Sequence, residues 1–130
     1  MINQAILCPK DATLLKLIVT VPSSHTSQVR TTFGAAGFGT IGAYSNCSFT
    51  SSGEGRFQPG EQAQPFTGKI NELSVVTEDK IEFVVQKHEL NQAISVLKSI
   101  HPYEEMAYDI IPLLNKNTTI GSGMVEIGRA

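Results

Sequence analysis

The order strand–helix–strand occurs twice in this chain at matching spacing, and it restricts the fold more than any other feature. Residues 14–21 (LLKLIVTV) form an apolar, β-branched run closed by Pro22, the pattern of a buried strand. Ser23 or Ser24 is placed to cap a following helix, with Val29, Phe33 and Ala36 on one face. Gly34 weakens that helix, and Gly37 ends it where a left-handed cap is wanted. The second unit opens with residues 80–85 (KIEFVV) and continues into a helix over about 89–100. There Leu90, Ala93, Ile94 and Leu97 keep the i, i+3, i+4, i+7 stripe of a core-facing helix. An extended segment follows each helix, residues 44–50 and residues 107–113. This order predicts an α+β fold, a ferredoxin-like sandwich.

The stretch between the two units is long and decorated. Residues 53–68 are rich in Gly, Pro and Gln, but Phe57 and Phe66 are apolar anchors that a disordered linker seldom holds. Gly53-Glu54-Gly55 reads as a hairpin turn or bulge, and the acidic Glu54 argues against a phosphate cradle. Residues 70–76 predict an additional strand. The organisation expected is a flank over residues 1–14, a domain over 15–114, and a second flank over 115–130. Residues 120–128 hold a short strand-like run without an internal partner, and their glycines match no phosphate-loop motif.

At 130 residues the chain fits one domain, burying ~65% of the surface its unfolded form exposes. A net charge of −2, with no basic cluster longer than two residues, gives no electrostatic footprint for nucleic acid. The longest apolar run is too short to cross a bilayer, so no membrane partner is expected. The first nine residues lack a basic stretch followed by an extended apolar one, so no secretory signal is expected. Cys8 and Cys47 are too few for a disulfide framework and lack C-x-x-C spacing, which favours a reduced, cytoplasmic protein over one with a single bridge.

The chemistry concentrates in HPYEEMAYD, residues 101–109, with one imidazole, three carboxylates and two phenols. Pro102 stops the preceding helix and leaves His101 at its C-terminus, where the macrodipole favours a cation. Two readings follow. His101 with Glu104, Glu105 and Asp109 has the ligand chemistry of a zinc or similar site, though such a site needs three or four converging donors. The plainer reading has His101 capping the helix and the carboxylates solvated or paired. Arg56 is the residue able to grip a carboxylate in a bidentate way, with Glu104 or Glu105 as its expected partner. Tyr103 and Tyr108 suit either a pocket lining or a subunit contact. Cys47, in a strand pattern with Phe49 on the same face, is expected to pack as a small hydrophobe rather than act as a nucleophile. His25 and His88 are expected at the surface.

The ordered blocks GTIGAYSNCSF, GEGRFQP, QPFTG and HPYEEMAYDI resemble the inserted domain of the Nif-three-like family, the type-2 GTP cyclohydrolase homologues, over about residues 15–113. The resemblance implies a fold like that of the PII signalling proteins and CutA, both ferredoxin-like and trimeric. It also implies a dinuclear metal site in a separate main domain, into which the C-terminal flank leads. Met106 departs from the family pattern, where a proline is expected, and should loosen the turn after Glu105. The function implied is a non-catalytic oligomerisation and regulatory domain, gating the main-domain site or sensing a small ligand, with the full-length relatives resembling metal-dependent hydrolases. Its partners would be a homotrimer or higher homo-oligomer and the main domain. Ligand or interface candidates are Tyr44, Cys47, Arg56, Phe57, Phe66, Tyr103, Glu105 and Tyr108. The alternative is a CutA-like divalent-metal domain holding zinc or copper through His101 and Glu104; no cofactor is otherwise required. The loop around residues 55–66 and the turn at 101–108 are expected to meet in space.

Overall fold

The two units interlock in one antiparallel sheet. In the computed structural model, which describes residues 13–115, the strands are β1 (Leu14–Pro22), β2 (Phe49–Phe57), β3 (Ser74–Gln86) and β4 (Tyr108–Pro112), in the spatial order β2-β3-β1-β4. Helix α1 (Thr26–Ala35) follows β1 and helix α2 (Leu90–Ile100) follows β3, each after a single 3-10 turn. This is the ferredoxin-like α+β sandwich that the repeated order predicts. The strand-like run expected at residues 120–128 lies outside the described residues, as do most of both flanks and Cys8.

Alternation along the strands decides which face is buried. Leu15, Leu17, Val19 and Val21 of β1 register against Val85, Phe83, Ile81 and Asp79 of β3, and the apolar pairs among them form the core with Val29 and Phe33 of α1 and Ala93 and Leu97 of α2. Phe33 is fully buried, its ring 4.1 Å from that of Phe83 and 5.0 Å from that of Phe38. Leu90 and Ile94 pack against the same core from the rim of the α2 stripe. On the opposite face, Leu14, Val84 and Ile41 make a small second cluster at one end.

Five local expectations change. Gly53-Glu54-Gly55 is strand rather than turn, because β2 runs unbroken from Phe49 to Phe57 against β3. The extended segment expected at residues 44–50 enters the sheet only at Phe49; Ile41 and Tyr44 instead close a tight turn, exchanging backbone hydrogen bonds of 2.8 and 2.9 Å. The two strands expected at 70–76 and 80–85 are one, Ser74–Gln86, since pairing with β1 and β2 carries the backbone through the polar Thr77-Glu78-Asp79 stretch. Ser23 and Ser24 form the 3-10 turn instead of capping α1, which has no side-chain cap; Thr26 Oγ1 donates to Asp79 Oδ2 at 2.7 Å and ties the helix start to β3. At the other end Gly37 adopts φ +93° as expected, but Ala36 is exposed and Phe38 takes the buried place after the helix.

A capping interaction that periodicity does not reveal starts the second helix. The Glu89 carboxylate accepts the Gln86 backbone N–H at 2.9 Å, the reciprocal half of a capping box. Helix α2 ends at Ile100, as Pro102 requires, and His101 takes extended geometry (φ −77°, ψ 133°).

Candidate functional site

The loop joining β2 to β3 and the turn between α2 and β4 meet over one end of the sheet. Tyr103 is the centre of that junction. Its ring lies 5.8 Å from Phe57, 6.1 Å from Phe66 and 5.2 Å from His101, and its hydroxyl donates to Glu78 Oε2 at 2.8 Å. A second tie comes from the Gln64 backbone N–H, which donates to Glu104 Oε1 at 2.9 Å. The loop itself is braced by Asn71, whose backbone N–H donates to the Pro59 carbonyl at 2.6 Å. Between loop and turn lies a cavity of about 420 Å³, floored by Thr20, Gly55 and Glu78 of the sheet and walled by the aromatic rings, Pro59 and Pro65.

Gly55 and Glu78 explain why β2 carries glycine here. A Cβ on Gly55 would run into the Glu78 carboxylate, which lies across that bare α-carbon. The vacancy lets Glu78 reach Tyr103. Burial and the neighbouring Glu78 carboxylate both hold the Tyr103 phenol well above its ordinary ionisation range, so it stays a donor.

His101 is 9% exposed and its two ring nitrogens are both engaged. Nε2 meets the Thr20 carbonyl at 2.7 Å and must carry the proton, while Nδ1 accepts the Tyr103 backbone N–H at 3.1 Å. A second proton on Nδ1 would face that N–H head on. Burial also lowers the imidazole pKa, outweighing the Thr20 hydrogen bond and the Glu78 charge. The residue therefore works as a neutral clamp between α2, β1 and the turn, rather than as a cation at the helix end. In this geometry it offers a metal no lone pair, and no group of three or more His, Cys, Asp or Glu among the described residues is arranged to hold one.

The other candidates divide. Phe57, Phe66, Tyr103, Glu104, Glu105 and Arg56 share the cavity. Arg56 does not pair with Glu104 or Glu105; its guanidinium meets Glu54 Oε1 at 3.2 Å, because the two are alternate residues on the same face of β2. Tyr108 faces the core beside Val19, with the Lys98 ammonium 5.6 Å above its ring. Cys47 precedes β2 and is half-buried against the Leu14 cluster, while Phe49 is exposed. Tyr44 is exposed on its tight turn. Met106 packs against the main core, which supplies an anchor where the proline ring is missing.

Glu78 escaped the sequence reading, and His25 was expected at the surface. Glu78 sits in a charged stretch that resembles any solvated strand edge. His25 is half-buried with its ring edge-on to Phe66 at 5.4 Å, and His88 is the one of the pair left exposed. The β2–β3 loop carries Phe66 to His25, and the α2–β4 turn carries Tyr103 to Glu78, so each contact depends on a tertiary crossing rather than on residues near in sequence.

A comparison with models of known protein families gives no match. Individual relatives do match. A GTP cyclohydrolase 1 type 2 homolog of Halalkalibacterium halodurans is 47% identical over 86% of this chain, and one of Bacillus subtilis is 44% identical over 88%. The chain spans about 30% of the length of these relatives. Among solved structures, a Bacillus cereus protein related to NIF3 superimposes with a TM-score of 0.70 at 39% identity, over 82% of this chain and 27% of that one. CutA of Synechococcus elongatus gives 0.58 at 19% identity, over 78% of each chain. GlnK of B. subtilis gives 0.56 at 16%, over 87% of this chain and 95% of that one. The last two likenesses are of fold alone.

Proposed function

This chain belongs to the family of the GTP cyclohydrolase 1 type 2 homologs related to NIF3, and on that premise we propose that it is the family's non-catalytic assembly and regulatory domain. The observation that carries this reading is the bare face of the sheet. Both helices pack on the face lined by Leu17, Val19 and Phe83. The opposite face presents Phe49 of β2, 56% exposed, and Ile111 of β4, 44% exposed, around the Lys16–Glu82 ion pair. A face of that kind, with exposed apolar side chains on either side of a charged pair, suits a contact between copies of the chain. A homotrimer, as the PII and CutA resemblance implies, is the expected assembly.

Regulation would run through the cavity around Tyr103, which joins the β2–β3 loop to the α2–β4 turn. A ligand there would touch both segments at once, and so order them together. Hydrolytic chemistry would belong to the remainder of the full-length protein. No helix among the described residues is long and apolar enough to cross a membrane.

Calorimetric titration of the chain with zinc and with copper separates this reading from a metal-binding one. The expected result is no saturable heat that depends on His101. Stoichiometric binding lost in His101→Ala would overturn the assignment and make the turn a metal site.

A further inference from the structure

We propose that the cavity around Tyr103 is a binding site for a small organic cation, an alkylammonium or guanidinium with a short apolar stem. The proposal rests on the sensing role given above and names the chemistry of what is sensed. Three aromatic rings, Phe57, Phe66 and Tyr103, line one cavity with three carboxylates, Glu78, Glu104 and Glu105. Aromatic faces carry negative electrostatic potential, and a cation over them is stabilised further by a carboxylate within a few ångströms. The cation among the described lining residues, Arg56, has its guanidinium on Glu54 and does not neutralise the three acids.

The carboxylates are not exhausted by the protein. Glu78 accepts the Tyr103 hydroxyl through Oε2, and Glu104 accepts the Gln64 N–H through Oε1, so each retains acceptor capacity for an N–H donor. Glu105 is exposed at the rim. Phe66 is 54% exposed although it is held edge-on by His25 and faces Tyr103, which leaves ring surface for a ligand to cover. Pro59 and Pro65 stiffen the wall, limiting the entropy lost on binding. A cavity of about 420 Å³ lies in the range of small-molecule sites. An anion would meet three like charges here, and a neutral alkane would leave the acids unpaired.

The test is a titration of the 130-residue chain, followed by the ring resonances of Phe57, Phe66 and Tyr103. The probes are n-butylammonium and n-butylguanidinium, with n-butanol and butyrate as the neutral and anionic isosteres. The two cations should give saturable shifts that weaken as salt rises, while the isosteres give none. Replacing the exposed Phe66 by Ala should weaken the cations by roughly two- to thirty-fold. Glu105→Gln should weaken them as well, and both variants, altered at exposed positions, should keep the wild-type melt. Stronger shifts with butyrate, absence of saturation by either cation, or indifference to Phe66→Ala would overturn the proposal. Tighter binding of a lysyl dipeptide than of n-butylammonium would overturn the free small molecule as occupant and give the cavity to a protein side chain. Saturation by butyrate alone would leave a sensing role standing with another ligand class, and assembly is read separately from mass.

Discussion

The Tyr103 hydroxyl donates to the Glu78 carboxylate at 2.8 Å and joins the turn after α2 to β3 across 25 positions of sequence. Gly55 leaves the carboxylate room, since a Cβ there would meet it. Tyr103→Phe should therefore destabilise the chain by about 1–2 kcal/mol, the range for a hydrogen bond to a partly buried charged group. Gly55→Ala should displace Glu78 and cost a similar amount by the same route. Urea midpoints of the two single variants and the double variant check this: the double should lose little more than the larger single. Additive losses would mean that Gly55 does not act through Glu78.

His101 gives the fold a pH dependence with a definite sign. Its folded pKa lies below the ordinary 6.5, so the unfolded chain binds the extra proton first. The stability that the neutral ring supplies is complete above that value and is lost as pH falls from 6.5 toward the folded pKa. Glu78 opposes the shift and His25 adds to it, so His25→Asn should reduce the loss slightly. Denaturant midpoints at pH 8 and pH 5 (about 1.5 units on either side of an ordinary imidazole) should differ less in His101→Gln than in the wild type. An equal difference in both would remove His101 as its source.

Phe33→Ala should be far more damaging than either of these changes. The ring is fully buried between Phe38 and Phe83, and its loss leaves a cavity that α1 cannot close without leaving the sheet. A cost of about 3–5 kcal/mol is expected in chemical denaturation. A loss below about 1 kcal/mol would mean that the helix–sheet contact repacks freely.

The fold was legible because its signals are local. The β-branched run before Pro22, the apolar stripe of α2 and the stop at Pro102 each follow from residues a few positions apart. The loop and the turn were also expected to meet, because Arg56, Phe57 and Phe66 offer charge and apolar surface that complement Glu104, Glu105 and Tyr103. What was illegible depends on pairing. The strand character of Gly53-Glu54-Gly55 comes from β3 beside it, and the continuity of β3 through Thr77-Glu78-Asp79 comes from neighbours on both sides. Glycine and acidic residues have poor strand propensity alone, and tertiary pairing overrides it. The same holds for Arg56, whose partner two residues away on the strand is set by the pleat that the turn reading denied.

Assembly through the bare sheet face is the central claim, and sedimentation of the wild-type chain beside Ile111→Glu tests it most directly. Ile111 lies on that face beside Lys16 and outside the core, so a carboxylate there should leave the monomer fold intact. The wild type should sediment with the mass of three chains at micromolar concentration, and the variant with the mass of one, both melting cooperatively. A wild type that sediments as a monomer, or a variant that keeps the wild-type mass, would contradict the account.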